Sequence, residues 1–143
     1  MRFPLVALAL LAPAPAAALD CPIPSNAVET QLEAAPSCRD AVDLFRACLA
    51  GSGADVSRGE VVRERCERDF LAGAPRERKR AYDREVAGCE RKYAHRSGTL
   101  YRSLAADCAV GVAARFSAQA VRGRTPTANQ APNFDWIPKS ARE

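Results

Sequence analysis

The chain has 143 residues, of which 48% are hydrophobic and 27% are charged. Its 21 basic and 17 acidic side chains leave a net charge of +4. This length allows a single domain of ordinary size. The basic surplus is small and interleaved with acidic residues, which argues against nucleic-acid binding.

Residues 1–18 have the parts of a secretory signal peptide. Arg2 supplies a positive charge, a short apolar run follows, and three alanines at residues 16–18 form a cleavage site. The apolar run is too short for a stable membrane anchor, and we expect no later segment to span a membrane. Asp20, just before the first cysteine, argues against lipidation. We therefore expect a soluble periplasmic or secreted product that begins at Leu19.

The six cysteines all follow this signal, and none belongs to a C-x-x-C pair. In an oxidising compartment this pattern predicts a disulfide framework. A zinc site would need ligand pairs about two to four residues apart, and the closest cysteines are ten apart. We expect neither a metal nor another cofactor. The predicted disulfide cysteines are Cys21, Cys38, Cys48, Cys66, Cys89 and Cys108.

Prolines make residues 19–36 extended and turn-rich, with room for a short helical turn at about Asn26 to Ala34. The first firm helix begins at Ser37, which with Asp40 approximates a capping box. Its apolar stripe ends near the glycine pair of residues 51–53. That stripe consists of Val42, Phe45 and Leu49.

A second capping box, Ser57 to Glu60, predicts the start of the next helix, which ends at residues 73–75. The third helix runs from about Arg76 to Arg96, and the fourth follows residues 97–99 and fades near Arg122. Helical spacing predicts the buried faces of these three helices. They are Val62, Cys66 and Phe70; Tyr82, Val86, Cys89 and Tyr93; and Leu100, Leu104, Cys108, Val112 and Phe116.

No stretch shows the two-residue alternation of a strand, so the predicted class is all-α. We expect a small disulfide-stapled bundle of about four helices, preceded by an extended N-terminal segment. The helical domain covers residues 19–122. Residues 123–143, rich in Pro, Asn and small polar side chains, form a flexible or draped tail.

Antiparallel helices restrict which cysteines can meet, because the Cα atoms of a disulfide lie within about 7 Å. Two cysteines ten apart on one helix are separated by about 15 Å, which excludes the pair Cys38–Cys48. Cys89 and Cys108 are centred on the turn at Gly98. The preferred pairs are Cys21–Cys38, Cys48–Cys66 and Cys89–Cys108, with Cys66–Cys89 as the main rival.

Catalytic chemistry has little support in the sequence. His95 is the only histidine and lies at the end of a predicted helix, where a structural or solvent-exposed role is expected. Glu60, Glu64 and Glu67 alternate with arginines and are expected in surface ion pairs. No phosphate loop or nucleophile elbow occurs. We therefore do not expect an enzyme.

Three segments are candidate binding sites. The hairpin tip is the best-presented loop. The other two have a simpler alternative: a solvated face for the basic cluster at the start of the third helix, and a groove cover for the aromatic tail. We expect the cluster to suit an anionic partner and the other two a protein. The candidate residues are Arg76, Arg78, Lys79, Arg80, Ser97, Gly98, Thr99, Phe134 and Trp136.

One arrangement resembles a known family. The helix with Asp83-Arg84-Glu85 and Cys89, the glycine-centred turn and the helix with Cys108 are similar to the cysteine-rich domain of LprI-type periplasmic lysozyme-inhibitor proteins, over residues 81–117. Cys21 and Cys38 look like the N-terminal pair of that family, whereas Cys48 and Cys66 are additional. The resemblance implies a helical exported inhibitor with a lysozyme as its partner.

The sequence thus predicts an exported, non-enzymatic protein-binding module, with an envelope or extracellular protein as its partner and no nucleic acid. Lysozyme inhibition is the specific form that the resemblance implies. The alternative is a structural or stress-related envelope protein that binds anionic surfaces through the basic cluster. The sequence sets no oligomeric state.

Overall fold

The computed structural model describes residues 21–124. Within them it confirms the all-α prediction, with five α-helices and no strand. A short 3-10 turn, Ser25–Ala27, precedes the first helix. The helices are α1 (Val28–Glu33), α2 (Cys38–Ala47), α3 (Ala54–Glu67), α4 (Arg76–Tyr93) and α5 (Thr99–Arg124).

The 26-residue helix α5 runs through the centre of the bundle and packs against α2, α3 and α4. Helices α3 and α5 run parallel, and α2 and α4 run antiparallel to α5. The shared core is apolar and mostly aliphatic. A cluster of three aromatic rings lies toward the C-terminal end of α5. Its fully buried hydrophobic side chains include Val28, Leu32, Phe45, Val62 and Val110.

By length and composition alone, α5 is long and apolar enough to cross a membrane, with a mean hydropathy of 1.2 over its most apolar window. The expectation that no segment after the signal has these properties is therefore wrong. In the structure, α5 is the central helix of the bundle, joined to α4 by a disulfide and to α2 by an ion pair between Arg46 and Asp107 (3.0 Å). A core helix meets the same length and hydropathy criteria because it too must bury apolar side chains.

The start of α2 is confirmed, and its end comes earlier than predicted. Ser37 Oγ accepts a hydrogen bond from the Asp40 amide (3.2 Å) and donates one to the Asp40 carboxylate (2.6 Å), as in a capping box. The helix ends at Ala47, before the glycines of residues 51–53. Cys48 leaves the helical conformation there and is bonded to Cys21.

Helix α3 begins three residues before the predicted capping box of Ser57 and Glu60. The reason is Asp55, which is fully buried and accepts hydrogen bonds from the amides of Ala50 (3.3 Å) and Ser52 (2.9 Å). It also accepts one from the hydroxyl of Ser103 on α5 (2.7 Å). This carboxylate closes the α2–α3 loop and ties it to α5, so the helix starts beside it.

The buried face predicted for α5 is correct in its second half and wrong in its first. Val112 and Phe116 are buried, whereas Leu100 is 53% and Leu104 is 39% exposed. Because α3 runs parallel to α5 and begins level with Ser103, the first turn of α5 lies beyond the start of α3. A Cβ atom at Gly51 in the α2–α3 loop would lie 3.2 Å from a methyl group of Leu100. Leu104 lies on the side of α5 opposite the fully buried Ala113.

Three disulfides join all six cysteines: Cys21–Cys48, Cys38–Cys66 and Cys89–Cys108, with Cα–Cα distances of 4.4, 4.6 and 5.6 Å. The predicted pairs Cys21–Cys38 and Cys48–Cys66 are therefore wrong. The pair Cys48–Cys66 would need α3 to begin near residue 57, whereas the helix begins at Ala54. Cys38 and Cys66 are centred on residue 52, inside the loop between α2 and α3. Antiparallel packing brings the first residue of α2 beside the end of α3.

Tryptic mapping of the oxidised protein tests this pairing. No Lys or Arg lies between Cys21 and Cys38, so both remain in the peptide that ends at Arg39. We expect that peptide to be linked to the peptides of both Cys48 and Cys66. The sequential pairing would instead link the Cys48 and Cys66 peptides to each other. A second cleavage after Glu29 then identifies which partner belongs to Cys21.

Replacing Asp55 by alanine should destabilise the fold by about 3 kcal/mol, because buried amides and a hydroxyl lose a charged acceptor. Urea denaturation followed by circular dichroism measures this change. Asp43→Ala is the matched control, since Asp43 is exposed and its contact with Arg39 spans 3.8 Å. We expect the control to cost less than about 0.5 kcal/mol. Equal losses in both variants would contradict the role given to Asp55.

Candidate binding surfaces

Helices α4 and α5 form an antiparallel hairpin, and the candidate residues of the described chain lie at its two ends. Ser97, Gly98 and Thr99 form the tip, between the end of α4 and the start of α5. The basic cluster of Arg76 to Arg80 lies at the start of α4, about 27 Å away along the 18-residue helix. Phe134 and Trp136 lie outside the described residues.

The hairpin tip is exposed, and a disulfide joins its two helices. Gly98 has a φ of +109°, a conformation that favours glycine and reverses the chain within a few residues. Cys89 and Cys108 join the two helices beneath the turn. Leu100 and Leu104, one helical turn apart, lie exposed beside the tip. The tip therefore presents two apolar side chains on a cross-linked support.

A second part of the tip contains tyrosines and cations. The rings of Tyr93 and Tyr101 lie 6.5 Å apart and line a hollow of about 250 Å³. The Arg96 guanidinium lies 5.6 Å from the centre of the Tyr101 ring, and the Lys92 ammonium lies 5.2 Å from that of Tyr93. Cations at these distances are attracted to the faces of aromatic rings. Tyrosine and arginine are also common anchors in protein interfaces.

The charge at the tip is positive. Residues 90–102 include the carboxylate of Glu90 and four basic side chains, in addition to the exposed His95. These basic residues are Arg91, Lys92, Arg96 and Arg102. None of them forms an ion pair with another residue of the described chain. The tip is therefore complementary to an acidic surface.

At the other end, the structure divides the basic cluster. Arg76 and Arg80 are exposed, whereas Lys79 and Arg78 are half-buried. The Arg78 guanidinium packs over the Phe116 ring at 5.4 Å and donates to the carbonyl oxygen of Phe116 (3.1 Å). Arg78 therefore joins α4 to α5, whereas Arg76, Lys79 and Arg80 are neighbours on the helix surface.

The ring under Arg78 belongs to a cluster of three aromatic side chains. Phe70, Tyr82 and Phe116 pack with ring centres 5.1 to 5.6 Å apart. The Tyr82 hydroxyl donates to the Glu67 carboxylate at 2.5 Å. Burial, and then this hydrogen bond to Glu67, raises the pKa of Tyr82 far above its ordinary value of 10.0.

The expectation that all three glutamates form surface ion pairs is correct for one of them and wrong for the other two. Of the three glutamates, Glu67 pairs with Arg63 at 3.4 Å, while Glu60 and Glu64 are exposed and form no ion pair within residues 21–124. His95 is exposed at the tip. Nowhere in the described part of the chain do three His, Cys, Asp or Glu side chains group as metal ligands would.

The raised pKa of Tyr82 predicts a loss of stability at high pH. The unfolded chain releases the Tyr82 proton above pH 10, and the folded chain retains it, so unfolding becomes easier as pH rises. From this group the free energy of unfolding should change little below pH 10 and then fall with a slope that approaches about 1.4 kcal/mol per pH unit, a loss of about 1.4 kcal/mol by pH 11. Urea denaturation between pH 9 and 11 measures the slope. Tyr82→Phe should lack this contribution; an unchanged slope would contradict it.

In comparisons with known proteins, no family model matches the chain, and neither does any curated protein or solved structure. The resemblance to lysozyme inhibitors therefore stays a prediction.

Proposed function

We propose that this chain is an exported, non-enzymatic protein-binding module that contacts its partner through the tip of the α4–α5 hairpin. The observation that carries the proposal is the exposure of Leu100 and Leu104 beside that tip. With Val121, they are the large hydrophobic side chains that the described chain leaves exposed. Two leucines one turn apart on a helix form a compact apolar anchor.

The disulfide below the tip supports this role. Cys89–Cys108 holds α4 and α5 together in the free protein, so less conformational entropy is lost when a partner binds. The other two disulfides hold α2 against the N-terminal segment and α3. A rigid helical scaffold that displays a short turn suits recognition by shape.

The side chains around the leucines indicate the chemistry of the partner. The tip combines an apolar centre with Arg96, Arg102 and the cations near the tyrosines, so it fits an acidic surface with an apolar recess. Many lysozymes are strongly basic, and the tip would repel such a surface. We therefore propose an acidic envelope or extracellular protein as the partner. A lysozyme is the partner that the resemblance implies, and a basic lysozyme would not fit this proposal.

Export is part of the same proposal. The three disulfides are consistent with an oxidising extracellular compartment. The predicted signal peptide of residues 1–18 lies outside the described residues, and its pattern supports delivery to the periplasm or the medium.

A Leu100→Ser/Leu104→Ser variant tests the tip. The oxidised wild-type protein is used to capture its partner from envelope extract, and the partner is then purified for affinity measurements. Truncating two anchor side chains should weaken binding about a hundredfold. Arg96→Glu should slow association and reduce its dependence on salt concentration.

Two variants serve as controls. Val121→Ser removes an exposed apolar side chain near the other end of α5, and Arg84→Glu reverses an exposed charge on α4 away from the tip. Both should bind like the wild type. If the double serine variant also binds normally, the tip is not the contact surface. Inhibition of a basic lysozyme would support the resemblance and contradict an acidic partner.

An anionic surface is a second candidate partner, because Arg76 and Arg80 are exposed at the start of α4. Positive charge that is not paired within the protein is available to a polyanion. Binding of this kind would be sensitive to salt and would be lost when both arginines are replaced by glutamine.

A further inference from the structure

A cavity of about 360 Å³ lies where α4 begins and α5 ends. Its wall includes the loop of residues 72–75 and three arginines from separate parts of the chain. Arg68 follows α3, Arg78 belongs to α4, and Arg124 is the last residue of α5. We propose that this arginine cavity binds a phosphate monoester group. The proposal does not rest on the hairpin tip, which lies at the opposite end of α4.

The charge of the cavity suits a dianion. Neither Arg68 nor Arg124 forms an ion pair within residues 21–124, and both are exposed. Asp69 is the carboxylate that lines the cavity, and it is engaged by Arg65 (3.5 Å) and by the Ser117 hydroxyl. Three guanidinium groups and one carboxylate leave an excess of two positive charges. A phosphate monoester carries about two negative charges at neutral pH.

Arg78 also leaves a donor unused. Its Nη2 donates to the carbonyl oxygen of Phe116 and to Gln119, which fixes the guanidinium group on α5. The Nε atom is buried without a hydrogen-bond partner among the described residues, as are those of Arg58 and Arg63, so it does not mark the cavity. The Nη1 atom forms no hydrogen bond within residues 21–124. A phosphate oxygen in the cavity would give this charged donor an acceptor.

The start of α4 adds to this environment. The helix has 18 residues, and no side chain caps its N-terminus, which is preceded by Pro75. The first intrahelical bond is donated by the Lys79 amide to the Pro75 carbonyl (3.1 Å), so the amides before Lys79 have no acceptor within the helix. The helix dipole places partial positive charge at the same end. These amides supplement the arginines and would not form a site without them.

A second cavity has balanced charges, unlike the arginine cavity. About 240 Å³ lies between α3 and α5, lined by Arg63, Arg102, Glu60 and Glu90. Its cationic and anionic side chains are equal in number, so it has no preference for an anion. The arginine cavity, with an excess of two positive charges, also exceeds the two cavities that have two arginines and one carboxylate each.

Titration with inorganic phosphate tests the proposal. The oxidised full-length chain, labelled with ¹⁵N, is titrated with phosphate and in parallel with chloride at equal ionic strength. We expect saturable shifts of the amide signals of residues 73, 74 and 76–78 with phosphate and not with chloride. Phosphate-induced shifts that equal those with chloride, or that do not saturate, would overturn the proposal that the cavity binds phosphate.

Variants locate the binding. Arg68→Gln and Arg124→Gln should each weaken phosphate binding roughly tenfold, since each removes a charged donor. Both side chains are exposed, so both variants should fold. Arg84→Gln removes an exposed arginine of α4 outside the cavity and should bind like the wild type. An equal loss in Arg84→Gln would show a non-specific charge effect and reject the cavity.

Vesicles distinguish a soluble phosphate ester from a lipid headgroup. Vesicles with phosphatidate expose a phosphate monoester, and vesicles with phosphatidylglycerol at the same surface charge expose a diester. Binding to phosphatidate alone, lost in Arg68→Gln, identifies the lipid as the source. Phosphate binding without vesicle binding identifies a soluble ester. Vesicle binding that depends on Arg76 and Arg80, without any binding of phosphate, would overturn the proposal.

Discussion

The close contact between α3 and α5 is the constraint on which the other features depend. At Gly59 a Cβ atom would lie only 3.1 Å from the Cβ of Ala106. The two helices can approach this closely because Gly59 has no side chain. The hydrogen bond from Ser103 to Asp55 fixes how far the two helices are displaced along their axes. Because Ser103 is level with the start of α3, the first turn of α5 extends beyond α3.

The disulfides preserve this arrangement from both ends. Cys38–Cys66 joins the start of α2 to the end of α3, and Cys21–Cys48 holds the N-terminal segment against the end of α2. Cys89–Cys108 joins α4 to α5 below the tip. A described chain of this size has a small core, and cross-links raise the free energy of its unfolded state.

The two ends of the α4–α5 hairpin differ in chemistry although both are positively charged. The tip combines exposed leucines with tyrosines, whereas the far end gathers Arg68, Arg78 and Arg124 around a cavity. Apolar side chains suit a protein surface, and forked guanidinium groups suit an oxyanion. The two proposed binding sites therefore lie at opposite ends of one helix.

The spacing of apolar residues and the positions of glycine, proline and capping residues determined the all-α class, the approximate helices, the Ser37 cap and the turn at Gly98. Buried positions such as Phe45, Val62 and Phe116 followed from spacing, because a helix must bury one face wherever its neighbour lies. The Cys89–Cys108 pair followed as well, since a short turn leaves two antiparallel helices only one register.

Only the tertiary structure decided where neighbouring helices begin and end. Steps of four residues predict Leu100 and Leu104 on the buried face of α5, but each step turns about 40° around the helix. The buried side is the one that carries Val110, Ala113 and Ser117, and both leucines lie away from it. The buried carboxylate of Asp55 shifted the start of α3 and with it the register of Cys38 and Cys66. The arginine cavity joins residues far apart in the chain, and no local pattern records a contact that depends on how whole helices pack.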